Sequence, residues 1–268
     1  WTCRLGKGRI AGIERFLCLA GTRDRYSGSA KSCLWSRHWL CNRAMPKRNE
    51  TIDHPLDPAA RRAEWFRYYS DKRIGQQWFQ VHLLQGLAVQ RVLEVGPNLG
   101  LVSALLANAG FTVTTMDMLP SLDPRPDIPH IQGELTAIDG FCLSGHDAII
   151  CCETLEHLPW DQVQPVLAKF HAAAPDYLII SVPYMGFQID WRLYLNAVTA
   201  RSKFSVKKLN FLRSFRPDVD PWGHKWEAGY RGHSLAALAA KIQAAGWQIE
   251  RRDFTSPARS VFYLLRRD

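Results

Sequence analysis

The pattern of hydrophobic positions is clearest where a short apolar run, 92–95, is followed by a glycine turn and by apolar residues at helical spacing over 101–109. The run predicts a buried strand, and the spacing predicts a helix. A second strand is predicted over 112–116, and it leads to Asp117, 21 positions after the first glycine of the turn, Gly96. This order is that of the first half of a nucleotide-binding βαβ unit, in which glycines let the backbone approach a ligand and the acid binds ribose hydroxyls.

Further elements follow the same two patterns along the chain. Strands are predicted over 130–132, 148–152, 177–182, 247–254 and 261–265, and helices over 58–73, 76–85, 161–174 and 234–245. The unbroken apolar run 148–152 is typical of a central parallel strand that is covered on both faces. The last two strands are expected to pair as an antiparallel hairpin. The predicted fold class is therefore α/β, a seven-stranded mostly parallel sheet with helices on both faces and an antiparallel last strand.

The glycine turn, Glu94-Val-Gly-Pro-Asn-Leu-Gly100, argues against a dinucleotide ligand. It lacks the third glycine of the G-x-G-x-x-G pattern, which places a pyrophosphate on a helix N-terminus. The turn instead resembles motif I of class I S-adenosylmethionine (SAM)-dependent methyltransferases, E/D-x-G-x-G-x-G. Glu94, Gly96 and Gly100 match this motif, and Asn98 replaces the middle glycine. Asparagine tolerates a left-handed backbone better than most residues. A turn whose glycines serve only the bend of the chain remains the alternative.

A second motif follows the strand over 148–152. The segment Glu153-Thr-Leu-Glu-His157-Leu158 resembles the E-x-L-E-H-L signature that ubiquinone-type and related small-molecule methyltransferases carry after their fourth strand. Two motifs in the right order imply a Rossmann-like methyltransferase domain that uses SAM. The D/N-P-P-Y tetrapeptide of many nucleic-acid N-methylating enzymes is absent at this place, which favours a small-molecule acceptor.

The resemblance also implies roles for individual residues. The methionine part of SAM is assigned to the turn, the ribose to the acid after the second strand, the adenine to the loops beside it, and the floor beneath the sulfonium to the second motif. In that order the cofactor-binding residues are Glu94, Gly96, Asn98 and Gly100, then Asp117, then Met118, Glu134 and Leu135, and finally Glu153. The implied reaction is direct displacement, in which an acceptor atom attacks the methyl group and S-adenosylhomocysteine (SAH) leaves.

Candidate catalytic residues lie near the acceptor side of this plan. His157 is expected to act either as a base or as a structural hydrogen-bond donor, and His224 and Glu227 lie in an unusually aromatic and polar loop, 221–230. Loops at the edge of a sheet often carry function. No metal is predicted, because His224 and Glu227 alone are too few ligands.

An insertion of about 40 residues, 184–223, interrupts the minimal fold. Long loops in compact domains are usually functional or mobile. It carries a basic cluster consisting of Arg201, Lys203, Lys207, Lys208, Arg213 and Arg216. This cluster suits an anionic, phosphate-bearing or membrane-surface acceptor, whereas a solvated basic face is the equally open alternative.

Composition changes the picture mainly at the start of the chain. Of the net charge of +9 on 268 residues, +7 lies in residues 1–44, which hold nine Lys or Arg against two acids. We interpret 1–44 as a non-native or disordered upstream segment, although a basic nucleic-acid-contacting arm is the alternative. A helical cap is expected over 45–90, with helices that simply pack against the sheet as the open alternative, and the methyltransferase domain is expected over 91–268.

Location and partners follow from the rest of the composition. Cys142, Cys151 and Cys152 are interpreted as reduced, buried residues of a cytoplasmic protein. No apolar stretch reaches the roughly 20 residues that span a bilayer. There is no firm indication of nucleic-acid binding, and the oligomeric state is left open. Two other functions remain as alternatives: a non-catalytic methyltransferase-like binding protein and, less favoured, a nicotinamide-dependent oxidoreductase.

Overall fold

The computed structural model describes residues 57–121, 127–207, 210–255 and 259–268, so the predicted upstream segment 1–44 lies outside the described residues. The α-helices within these ranges are α1 (Pro58–Tyr68), α2 (Asp71–His82), α3 (Leu101–Asn108), α4 (Val163–Ala172) and α5 (Leu235–Ala244). The strands are β1 (Arg91–Val95), β2 (Thr112–Asp117), β3 (His130–Gln132), β4 (Ala148–Cys152), β5 (Tyr177–Pro183), β6 (Gln188–Leu195), β7 (Ala200–Lys207), β8 (Trp247–Phe254) and β9 (Ser260–Arg267).

Seven of these strands form the main sheet, in the spatial order β3-β2-β1-β4-β5-β9-β8. The first five strands of this order are parallel, and β9 runs antiparallel to both β5 and β8. The predicted fold class is therefore confirmed, including the antiparallel last strand. The direction in which strands are added reverses between β1 and β4, and this reversal opens a crevice at the carboxyl ends of the strands.

Helices cover both faces of the sheet, as predicted. On one face, buried side chains of α3 and of the turn after α2 pack on β1 and β4. On the other face, α4 and α5 supply the buried side chains. The neighbours Cys151 and Cys152 belong to these two different cores, because adjacent strand residues point to opposite faces. The prediction that Cys142 is buried is wrong, since it lies exposed on a 3-10 turn.

Helix ends differ from the predicted ones for local reasons. α1 ends at Tyr68 because Tyr69 adopts an extended backbone, and α2 then begins at Asp71, earlier than predicted. The side chain of Asp57 caps α1, since its Oδ1 accepts hydrogen bonds from the amides of Ala59 and Ala60. α4 begins only at Val163, because the preceding residues close a turn in which the Gln162 amide donates to the Pro159 carbonyl.

The insertion over 184–223 contains structure that the sequence did not predict. Its strands β6 and β7 form an antiparallel pair separate from the main sheet. Most side chains of β6 are exposed, so this hairpin lacks the buried alternating face that makes strands recognisable in a sequence.

Among the described residues, no helix combines the length and the apolar character that crossing a lipid bilayer requires. The expectation of a cytoplasmic location stays a prediction.

Candidate functional site

A cavity of about 1540 Å³ lies at the crevice where the sheet order reverses. Its floor is formed by the residues that end β1, β2 and β4, and its walls come from α1, α2 and the loops after β5. Because all these loops follow the carboxyl ends of parallel strands, residues distant in sequence meet there.

The turn after β1 forms one side of the floor. Glu94 is buried on β1 and accepts a hydrogen bond from the hydroxyl of Ser103 on α3, which joins the strand to the helix behind it. The Gly96 amide donates to the Met116 carbonyl of β2 at 2.9 Å. Asn98 has a φ of 51°, so it adopts the left-handed backbone for which the middle glycine of the motif is used.

The end of β2 and the loop after β3 form the next part. Asp117 is half-buried, and its Oδ1 accepts a hydrogen bond from the Leu119 amide at 3.0 Å. Glu134 is exposed to the cavity and accepts from the Thr136 hydroxyl at 2.6 Å. The loop itself is held by Lys169 of α4. Its Nζ donates to three backbone carbonyl oxygens there, at 2.8–3.0 Å.

The segment after β4 begins with a strained residue. Glu153 has a backbone φ of 52°, which is unusual for a residue other than glycine. Its Oε1 accepts a hydrogen bond from the Ser181 hydroxyl at 2.8 Å. Strain of this type is commonly found where a site requires a particular backbone. The next residue, Thr154, donates through its hydroxyl to the Cys152 carbonyl at 3.1 Å and lies 3.5 Å from the Val95 carbonyl at the end of β1.

A polar cluster occupies the wall beyond this segment. The ring centroids of His157 and His224 are 5.0 Å apart in an edge-to-face arrangement. Nδ1 of His224 lies 2.9 Å from Oε1 of Glu227, and its Nε2 lies 4.0 Å from Oε1 of Glu156. The backbone amide of His224 donates to Asp220 at 2.8 Å.

Two backbone contacts hold this cluster together. The Lys225 amide donates to the Glu156 carbonyl at 2.7 Å, and the Ala228 amide donates to the Pro183 carbonyl at the end of β5 at 3.0 Å. Between them, the indole of the fully buried Trp226 donates to the Leu158 carbonyl. The loop is therefore fixed against the segments that follow β4 and β5.

Glu156 is the most unusual member of the cluster. Its side chain is 0% exposed, and neither carboxylate oxygen has a hydrogen-bond partner among the described residues. Burial, and next the negative charge of Glu153, raises the pKa of the Glu156 carboxyl well above its usual range.

Comparison with known proteins identifies the fold. No protein-family model and no curated protein matches the chain. The solved methyltransferase domain of bacterial CtHen1-C is similar to it with a TM-score of 0.51 and 16% identity, over 74% of this chain and 99% of that one. The structure of magnesium protoporphyrin IX methyltransferase from Synechocystis PCC 6803 with bound SAH has a TM-score of 0.50 and 17% identity, over 77% of this chain and 94% of that one. The chain has the class I methyltransferase fold.

Within this methyltransferase fold, the structure brings most of the predicted site residues to one cavity. The lining includes Glu94, Gly96, Asn98, Asp117, Met118, Glu134, Leu135, Glu153, His157, His224 and Glu227. Gly100 is the exception, since it is buried at the N-cap of α3 and does not line the cavity. Its assignment as a cofactor-binding residue therefore has no support from the geometry.

Sequence reasoning missed several residues of the methyltransferase-fold cavity. Glu156 was within the recognised E-x-L-E-H-L motif, but the motif alone did not show that its side chain is buried beside His224. Asp220 carried no motif. Gln76 and Gln80 of α2 are buried polar residues that line the cavity, and two glutamines four positions apart were the available signal.

Proposed function

We propose that the protein is a SAM-dependent methyltransferase that acts on a small molecule. The observation that carries this proposal is the shared cavity, because the turn after β1 and the segment after β4 line it together with Asp117. In the proposed reaction the sulfur–methyl bond breaks as a bond from the acceptor to the methyl carbon forms. SAH leaves with the electron pair, and the acceptor loses a proton.

The cofactor half of the proposal uses the residues that the methyltransferase resemblance implies. We assign Asp117, at the end of β2, to the ribose hydroxyls, and the support is that only its Oδ1 is used by the Leu119 contact. Glu94 and the turn around Gly96 are assigned to the methionine part, and Glu153 to the floor beneath the sulfonium. The bound SAH of the Synechocystis structure is consistent with this use of the fold.

The cavity is larger than one ligand needs. Typical small-molecule sites have volumes of about 300–1,000 Å³. A volume of about 1540 Å³ therefore leaves room for an acceptor beside the cofactor. Holding the two together supplies most of what direct displacement requires, since good alignment is worth up to about 7–11 kcal/mol of the barrier.

The acceptor half is polar and partly cationic. Arg213 of the insertion and Arg259, which lies before β9, line the cavity, as does Arg216, whose guanidinium also pairs with Asp218 at 2.9 Å. The amide of Gln76 is buried there and donates through Nε2 to the Ser260 hydroxyl at 2.7 Å. Guanidinium groups bind carboxylate or phosphate groups well. We propose an acceptor that carries an anionic group and a nucleophilic heteroatom.

His157, His224 and Glu227 are proposed to serve this heteroatom. Glu227 accepts a hydrogen bond from Nδ1 of His224, which leaves Nε2 with its electron pair on the side of Glu156. An electron pair at this place can accept a proton or bind a Lewis acid that promotes loss of the proton.

Calorimetry of the full chain with SAM, SAH and NADH tests the cofactor. We expect micromolar binding of SAM and SAH, and an Asp117→Ala variant should bind SAM at least about tenfold more weakly, equivalent to about 1.4 kcal/mol. Asp161→Ala is the matched control, because Asp161 is exposed and does not line the cavity. Unchanged SAM binding in Asp117→Ala would overturn the cofactor assignment, and NADH binding alone would favour the oxidoreductase.

Transfer itself needs a second measurement. The full chain with methyl-labelled SAM and extracted small metabolites should move label to an organic acceptor and release SAH. SAM binding without transfer to any metabolite pool would favour the non-catalytic binding protein.

A further inference from the structure

The starting observation is the buried carboxylate of Glu156. A carboxylate that lacks both water and hydrogen-bond donors is costly to keep in a folded protein, and buried charges are normally paired or coordinate metals. Glu156 lines the cavity, its side chain is 0% exposed, and neither oxygen has a hydrogen-bond partner within the described ranges. Both oxygens are thus available either to a proton or to a positively charged ligand such as a metal ion.

Two imidazoles lie where such a ligand would be bound. One ligand atom each from Glu156, His157 and His224 can be chosen so that all lie within 4.8 Å of one another. The 4.0 Å separation of His224 Nε2 and Glu156 Oε1 is too long for a hydrogen bond. With bonds of about 2.0–2.2 Å, two ligand atoms of one metal ion lie roughly 3–3.5 Å apart, so small side-chain movements would bring the three to bonding distance.

The surroundings of His224 prepare it as a ligand. A metal-binding histidine usually donates its other ring N–H to a carboxylate, which fixes the tautomer and the ring orientation. Glu227 accepts this hydrogen bond from Nδ1 at 2.9 Å, and Nε2 then carries the free electron pair. Asp220 fixes the backbone on which the ring is mounted, because its Oδ2 accepts hydrogen bonds from the amides of Trp222 and His224.

A second group of possible ligands, Asp220, His224 and Glu227, also lies within 4.8 Å. It is the weaker candidate, because the Asp220 oxygen nearest the ring already accepts two backbone hydrogen bonds and Glu227 is bonded to Nδ1. The buried oxygens of Glu156 make no such bonds.

We propose that Glu156, His157 and His224 bind a divalent transition-metal ion at the acceptor side of the cavity. Two imidazole nitrogens and one carboxylate oxygen suit Zn²⁺ and its neighbours Mn²⁺, Fe²⁺ and Co²⁺, whereas Mg²⁺ and Ca²⁺ prefer oxygen ligands. Three protein ligands on an open cavity leave a coordination position for another molecule. The ion's role in transfer rests on the proposed function: it would bind the acceptor heteroatom and lower its pKa, so that the heteroatom gives its proton to solvent and attacks the methyl group as an anion, while SAH leaves with the electron pair of the broken sulfur–methyl bond.

Titration with ZnCl₂ or CoCl₂ tests binding directly. The full chain, freed of metal with a chelator, should bind about one equivalent of Zn²⁺, and Co²⁺ should produce visible absorption bands. Glu156→Gln and His157→Ala should each weaken binding by at least about tenfold, because each removes one of three ligands. His157 is exposed, so its variant is expected to fold even if the Glu156 variant does not. His146→Ala is the matched control, since His146 precedes β4 at the opposite end of that strand.

The outcomes separate this inference from the proposed function. Absence of Zn²⁺ and Co²⁺ binding, together with normal SAM binding, would overturn the metal site and leave the methyltransferase proposal standing. Metal binding without SAM binding would support the metal site and overturn the methyltransferase proposal. Binding that survives His157→Ala but is lost in Asp220→Asn, with circular dichroism showing a folded variant, would move the ion to the second group and refute the proposed ligand set.

Discussion

Gly96→Ala tests whether the contact between the turn after β1 and the segment after β4 is as tight as the structure shows. Gly96 has a φ of 76°, a backbone conformation that side chains rarely adopt. A Cβ placed on it would lie 2.6 Å from Oγ1 of Thr154. The substitution therefore introduces backbone strain and a steric clash together.

The two penalties can be estimated separately. The left-handed backbone costs roughly 1–2 kcal/mol for a residue with a Cβ. Removing the clash requires the Thr154 side chain to turn, which breaks the hydrogen bond from its hydroxyl to the Cys152 carbonyl, 3.1 Å long. A hydrogen bond of this type is worth about 0.5–1.5 kcal/mol. We therefore expect Gly96→Ala to lower the free energy of unfolding by about 1.5–3.5 kcal/mol.

Gly145→Ala provides the matched control. Gly145 has a φ of 86°, and a Cβ there would meet no heavy atom within 4 Å, so only the backbone penalty applies. Urea unfolding of both variants should show a larger loss for Gly96→Ala. In a Thr154→Ala background, Gly96→Ala should cost no more than Gly145→Ala does, because the clashing oxygen is gone. Equal losses for the two single variants would refute the close contact between the two loops.

Three further outcomes are expected. Asp147→Asn should be destabilising at neutral pH, because the hydrogen-bonded Arg91 is the main reason that the pKa of Asp147 is lowered to about 2. The stabilisation is complete above the unfolded pKa near 3.8 and is lost as the pH falls towards 2. The thermal unfolding curves of the two proteins should therefore converge near pH 2. Lys169→Met should lower the unfolding free energy by about 2–3 kcal/mol and weaken SAM binding in calorimetry, because three carbonyls of the loop after β3 lose their donor. Trp247→Phe should cost about 1–2 kcal/mol in urea unfolding, since it removes the buried indole's hydrogen bond to α4; an unchanged midpoint would contradict that role.

The main sheet could be predicted from the sequence because its strands carry strong local signals. The run 148–152 is apolar throughout and became the fully buried strand β4, and the two hairpin strands at the end of the chain were also found. β6 and β7 were missed for the opposite reason. Their side chains are largely exposed, so the sequence contains no buried face to recognise.

A site feature could be predicted where it depends on the backbone conformation that one residue type favours. It could not be predicted where it depends on contacts between residues that are distant in sequence. Asn98 illustrates the first case, because its expected left-handed conformation follows from residue type. Glu156 illustrates the second. Its burial beside His224 depends on the loop from 220 to 229 folding back onto the segment after β4, a contact for which a single sequence has no signal.

The reversal of sheet order between β1 and β4 has a practical consequence. The two strands are neighbours although about 50 residues separate them, so the cavity floor exists only after this distant pair has formed. A molecule held by both loops would bind the native chain and not the unfolded one. Its free energy of binding would then add to stability, by about 2.7 kcal/mol at a concentration of 100 times Kd. The melting temperature thus reports occupancy of the cavity, and collections of candidate acceptors and metal salts can be ranked by thermal shift before any turnover has been observed.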